Sequence, residues 1–130
     1  MSMELYCHEY CDGIHKSKTR VENATWADVE AVLPVLKEEA FFRLSIVPEP
    51  ESGPALLEIQ SEGGHYLPGM LVIGKPGGRN FYNPDDAGKD EVSVGGYMWD
   101  PVSVTQDFDL ILRMVKEFYE TGDVSQELLK

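Results

Sequence analysis

The chain has 130 residues, enough for one domain with a real core, and its 42% hydrophobic and 26% charged shares are those of a folded chain rather than a disordered one. It has no run of about 18 apolar residues to span a membrane, and the start Met1-Ser2-Met3-Glu4-Leu5-Tyr6 lacks the basic stretch and apolar centre of a secretory signal, so a cytoplasmic location is expected. With 23 acidic against 11 basic residues the net charge is −12, which disfavours nucleic acid and anionic membranes as partners, keeps the chain soluble, and favours a basic protein partner.

Met3 to Tyr10 reads as a strand, because Leu5, Tyr6, Cys7 and Tyr10 favour extended backbone. Asp12-Gly13 is a turn signal, and Ile14 to Val21 returns as a polar edge strand. Thr25 caps a following helix with Asp28 in the capping-box position, and Trp26, Val29, Val32, Leu33 and Leu36 give the helical period. Pro34 removes a hydrogen bond and clashes with the preceding turn, so the helix is expected to end or kink near Leu33.

Three strands are expected next: Phe41 to Val47, Ala55 to Ser61 and a short Met70 to Ile73. The first puts Phe42, Leu44 and Ile46 on one side; the second sets Leu57 and Ile59 opposite Glu58 and Gln60. Lys75 to Asp90 reads as the longest loop, with Phe81 and Tyr82 in its middle. Val92 to Trp99 reads as one strand containing Gly95-Gly96, with Trp99 in the core and the glycines letting the last helix approach closely. That helix is expected from about Thr105 to Thr121, capped by Ser103 or Thr105, with Phe108, Ile111, Leu112, Val115, Phe118 and Tyr119 on one face and Gly122 as its exit. The sum is an α+β fold: a mostly antiparallel sheet of about five to six strands, with an N-terminal helix and a long C-terminal helix packed on one face.

Catalytic motifs are missing. No Gly-x-Ser-x-Gly is present, and Gly74-Lys75-Pro76-Gly77-Gly78-Arg79-Asn80 lacks the Gly-Lys-Ser/Thr that opens a phosphate-binding helix. Asp85-Asp86 with Asp90-Glu91 lacks the spacing of a calcium loop. Cys7, His8, Cys11 and His15 are loosely finger-like, but the usual second pair of ligands is missing. A small metal- or ligand-binding domain using Cys7, Cys11 and His15 is the alternative reading.

The acid is concentrated. Asp28 to Glu62 holds eight acidic residues against two basic ones, half of the net charge. The candidate partner-binding residues are therefore Glu49, Glu51, Glu58 and Glu62 from this stretch, with Tyr82, Asp85, Asp86 and Asp90 from the long loop.

The order of these elements, with Gly95-Gly96, Asp100-Pro101-Val102, the helix end Lys116-Glu117-Phe118-Tyr119-Glu120-Thr121-Gly122 and the tail Ser125-Gln126-Glu127-Leu128, resembles a family of small bacterial immunity proteins from polymorphic toxin systems, the α+β type found beside deaminase-fold toxins. The likeness covers roughly Trp26 to Leu129. It implies a cytoplasmic inhibitor, not an enzyme and without a cofactor, acting as a monomer or weak dimer. It also implies that the inhibitor binds a cognate, nucleic-acid-directed toxin domain and occludes its active site. Such toxins tend to be basic, which suits a chain of −12. The segment Cys7 to Val21 has no counterpart in the resemblance.

Overall fold

Alternating apolar and polar residues through the first two thirds of the chain build a sheet with one buried face. The computed structural model describes residues 2–130. In chain order the elements are β1 (Ser2–Cys11), β2 (Ile14–Val21), α1 (Trp26–Val32), a 3-10 turn (Leu33–Lys37), β3 (Glu39–Val47), β4 (Gly53–Glu62), β5 (His65–Ile73), β6 (Lys75–Asn80), a turn at Pro84–Asp86, β7 (Val92–Val94), β8 (Tyr97–Trp99), a turn at Pro101–Ser103, and α2 (Phe108–Thr121). The first six strands form one antiparallel sheet in the order β2-β1-β3-β4-β5-β6, and β7 and β8 form a separate hairpin. The fold is α+β, as expected.

The register assigns the faces. Leu5 stands opposite Leu44, Leu44 opposite Leu57, and Leu57 opposite Met70. These residues are buried and meet Ile111, Met114, Val115 and Phe118 of α2 and Val29 of α1. Both helices therefore lie on one face. The helix stripe is as expected, with Met114 added and Phe108, Leu112 and Tyr119 only partly buried.

Local chemistry sets the helix ends. The Thr25 hydroxyl accepts from the Asp28 N–H at 3.2 Å, and the Asp28 carboxylate accepts from the Thr25 N–H at 2.9 Å, so both halves of the capping box are made. Pro34 stops α1 at Val32 and tightens the next five residues into the 3-10 turn. Asp107, not Ser103 or Thr105, caps α2, because its carboxylate accepts from the Leu110 N–H at 3.1 Å.

Three expectations are corrected. β5 begins at His65, well before Met70: His65 to Gly69 pair residue by residue with Glu62 to Glu58 of β4, and Tyr66 also exchanges two backbone hydrogen bonds with Thr105, at 2.7 and 2.9 Å. The first part of the expected long loop is β6, whose Arg79 pairs with Met70. Gly78 in that strand has φ +63°, and a side chain there would run into the Met70 carbonyl, so the glycine-rich run is a close strand pairing rather than a loose turn. Val92 to Trp99 is two short strands joined by Gly95-Gly96 at φ +64° and +83°. These glycines turn a hairpin that lies on the sheet face away from the helices, and they do not touch α2.

The C-terminal tail is part of the core. Val124, Leu128 and Leu129 are buried, and the buried Arg79 guanidinium holds them. It donates to the Leu129 carbonyl at 3.1 and 2.8 Å, to the Val124 carbonyl at 2.5 Å and to the Asp123 carboxylate at 2.8 Å. The Lys130 N–H adds a bond to the Asn80 carbonyl at 2.9 Å.

Candidate functional site

Because side chains alternate along a strand, the sheet presents a second set of residues on the face away from the helices. On β1 these are Glu4, Tyr6, His8 and Tyr10; on β3, Glu39, Phe41, Arg43 and Ser45; on β4, Leu56, Glu58, Gln60 and Glu62. All are half-buried, neither sealed in a core nor free in solvent. Among the described residues no helix covers them. The β7–β8 hairpin covers them in part, with Ser103 of the turn after it beside Glu58 and Gln60. Val94 is fully buried by it, Trp99 is half-buried with its indole N–H donating to the Val94 carbonyl at 2.9 Å, and Gly95 lies against the Gln60 side chain.

The turn at the end of the β1–β2 hairpin and the β7–β8 hairpin border a cleft of about 660 Å³. One wall is the β1–β2 turn at Asp12 and Gly13, and the other is the Gly95-Gly96 turn. The floor is Tyr10, Phe41 and Gln60, and the acids Glu39 and Glu62 stand beside the walls. Each of these two carboxylates also ties down a hairpin. Glu39 accepts from the Gly13 N–H at 3.0 Å, and Glu62 accepts from the Gly96 N–H at 3.4 Å. The hairpin tips carry large apolar side chains in water: Ile14 is 72% exposed, Tyr97 71% and Met98 59%. Aromatic and methionine side chains at the rim of a polar cleft are the composition of a protein-binding patch.

Beside the cleft lies an aromatic and cationic cluster. The Tyr6 and His8 rings are 4.6 Å apart between centroids, and the Arg43 guanidinium sits 4.9 Å above the Tyr6 ring. The His8 Nδ1 and His15 Nε2 atoms are 2.8 Å apart, within hydrogen-bond distance. Burial pushes the His8 pKa down, and the nearby His15, Lys18 and Arg43 push it the same way. Arg43 makes no ion pair among the described residues, and its buried Nε has no acceptor.

The expected partner-binding residues separate into three groups. Glu58 and Glu62 share the open face of β4, and Glu62 lines the cleft. Glu49 and Glu51 are exposed in the β3–β4 loop at the other end of that strand, roughly 30 Å away at about 3.3 Å per residue. Tyr82, Asp85, Asp86 and Asp90 follow β6. Tyr82 is 52% exposed, Asp85 and Asp90 are exposed, and Asp86 is already paired with Lys89 at 2.7 Å. Asp86 and Asp90 border a smaller hollow with His65. The eight residues therefore do not form one surface.

The alternative cluster of Cys7, Cys11 and His15 does not assemble. Cys7 is buried on the helix-covered face, where burial and Glu9 push its thiol pKa up from 9.0 to about 11, whereas His15 is exposed beside His8 and Tyr10 on the other face. The β pleat alone separates them, and no group of three or more His, Cys, Asp or Glu side chains able to hold a metal exists among the described residues.

Sequence reasoning missed Tyr6, Tyr10, Phe41, Arg43 and Gln60, and weighed His8 only as a metal ligand. Their signal is present: Tyr6, His8 and Tyr10 recur at every second position, as do Phe41 and Arg43. What the alternation does not reveal is that the face they occupy has no helix over it.

The fold and the cleft define an α+β domain with one packed and one open sheet face. The chain belongs to a family of unknown function, DUF6911, whose model matches residues 2–128. A crystal structure of a hypothetical protein from Neisseria gonorrhoeae is similar over 95% of this chain and 91% of that one, with a TM-score of 0.73 and 19% identity. That likeness concerns the fold. A comparison with curated proteins finds no match.

Proposed function

We propose that this protein is a bacterial immunity protein that acts in the cytoplasm. In this reading it binds a basic cognate toxin domain through the open sheet face and covers the toxin's active site, without performing chemistry of its own. The observation that carries this reading is the cleft between the two hairpins. Its apolar tips Ile14, Tyr97 and Met98 stand in solvent, and its aromatic floor is flanked by Asp12, Glu39 and Glu62. A basic side chain entering there would meet carboxylates and the faces of Tyr10 and Phe41, both attractive to a cation. The −12 charge would speed encounter with a basic partner. The sequence resemblance supplies the class of partner.

The test is coexpression with the product of the gene directly upstream. The reading expects that product to be toxic alone, neutralised by this chain, and recovered with it in a complex. Glu58→Lys with Glu62→Lys should weaken the complex about a hundredfold, whereas Asp85→Lys, at an exposed position outside the cleft, should change it about fivefold or less. Because Glu62 also holds the Gly96 turn, Tyr97→Ala with Met98→Ala serves as a second variant that leaves that bond in place. A neighbour that is harmless and does not bind, or a complex indifferent to both cleft variants, would overturn the reading.

A further inference from the structure

The helix-covered side of the molecule has a feature that toxin binding does not use. Pro34 ends α1 early, and the 3-10 turn that follows leaves a groove between it and α2. The groove has a volume of about 370 Å³, within the range of small-molecule sites. Its walls are Trp26, Leu33 and Pro34 on one side and Phe108 and Leu112 on the other. Leu33 is buried, while Trp26, packed on Tyr119, and Phe108, packed on Tyr66, are half-buried and line the groove.

Cations stand over both rings. The Lys37 ammonium is 4.9 Å from the Phe108 ring centroid, and the Lys116 ammonium is 5.3 Å from that of Trp26. The two lysines lie across from each other, one contributed by the 3-10 turn and one by α2. Lys116 also faces Glu120 at 3.9 Å, but Lys37 has no carboxylate partner among the described residues. Lys37 is thus the cation of the groove that no carboxylate neutralises among the described residues, and a negative head entering the groove would be attracted to it. Glu30, at the other end of the α1 wall, would repel the same anion and so direct its head toward Lys37.

We propose that this groove binds a small amphipathic anion, a medium-chain carboxylate, with its apolar body between Trp26 and Phe108 and its carboxylate at Lys37. The apolar walls supply the driving force by excluding water, and the lysine supplies the preference for a negative head. The site is independent of the toxin reading and stands or falls separately from it.

The experiment titrates the full chain with decanoate, below its micelle-forming concentration, and follows tryptophan emission. The chain has two tryptophans, Trp26 and Trp99, so the Trp99→Phe variant reports the groove alone. The expected result is a saturable change in emission that the Trp99→Phe variant keeps and the Trp26→Phe variant loses. Lys37→Glu should weaken binding about tenfold or more, Lys37→Arg should leave it within about twofold, and decylamine should bind about tenfold more weakly than decanoate. No saturable signal from Trp26, equal binding of decanoate and decylamine, or an unchanged affinity in Lys37→Glu would each overturn the proposal.

Discussion

The two faces of the six-stranded sheet come from the same strands and the same alternation, yet they are built differently. One face is apolar: Leu5, Phe42, Leu44, Leu57 and Ile59 are fully buried under α2 and the 3-10 turn. The other carries Tyr6, His8, Tyr10, Phe41, Arg43, Glu58, Gln60 and Glu62, all half-buried, with a two-stranded hairpin over only part of it. Stability resides in the first face, and the second is left available for contacts. The difference is sharpest between two arginines. Arg79 points toward the core side and donates to two backbone carbonyls and a carboxylate. Arg43 points to the open side, rests on Tyr6, and makes no ion pair among the described residues.

The largest expected effect comes from a pair of phenylalanines. Phe118→Ala should cost about 3–5 kcal/mol in urea unfolding, because it empties a fully buried site between α2 and the sheet. Phe41→Ala, on the open face, should cost about 1 kcal/mol or less. Equal losses would break the contrast between the faces. The arginines come next. Arg79→Ala leaves the Val124 and Leu129 carbonyls without their donor and frees the tail, so a loss of about 3 kcal/mol is expected. Arg43→Ala removes no hydrogen-bond partner and should stay within about 0.5 kcal/mol.

The smallest expected effect is a pH dependence. His8 has its folded pKa lowered below the ordinary 6.5, by burial first and then by His15, Lys18 and Arg43. The unfolded chain therefore takes up its proton first as the pH falls. Stability should be undiminished by His8 above 6.5 and decline as the pH drops through 6.5 toward the lower folded value. The His8→Gln variant should show a shallower decline over that window in thermal melts. An identical slope would show that the imidazole cluster does not couple to folding. The buried Cys7 thiol acts in the opposite direction: raised from 9.0 to about 11, it makes stability fall as the pH climbs between those values.

The packed face was largely legible in the sequence. The Thr25–Asp28 box, the break at Pro34, the Phe42-Leu44-Ile46 alternation and the exit at Gly122 are local signals, each fixed by a few neighbouring residues. The open face was legible only in pieces. Glycine and proline at Pro68-Gly69 and Gly77-Gly78 signal turns locally, yet pairing with the neighbouring strands β4 and β5 holds both segments in the sheet. Gly95-Gly96 was correctly a special backbone site, but whether it turns a hairpin or admits a helix depends on where the chain goes next. Of the acids singled out by charge, Glu62 lines the cleft, Glu49 and Glu51 lie at the other end of β4, and Asp86 and Asp90 border a separate hollow with His65, the cross-strand partner of Glu62. Charge density along a sequence does not say which acids share a surface.

The central claim is that the open face, between its two hairpins, is where a protein partner binds. Side-chain oxidative footprinting of the chain, alone and in complex with the product of the upstream gene, tests it directly. Protection of Tyr10, Phe41, Tyr97 and Met98, with Trp26 and Phe108 as reactive as in the free chain, is the predicted result. Protection concentrated on Trp26, Phe108 and Leu112, with Tyr97 and Met98 unchanged, would place the partner on the helical side and contradict the account.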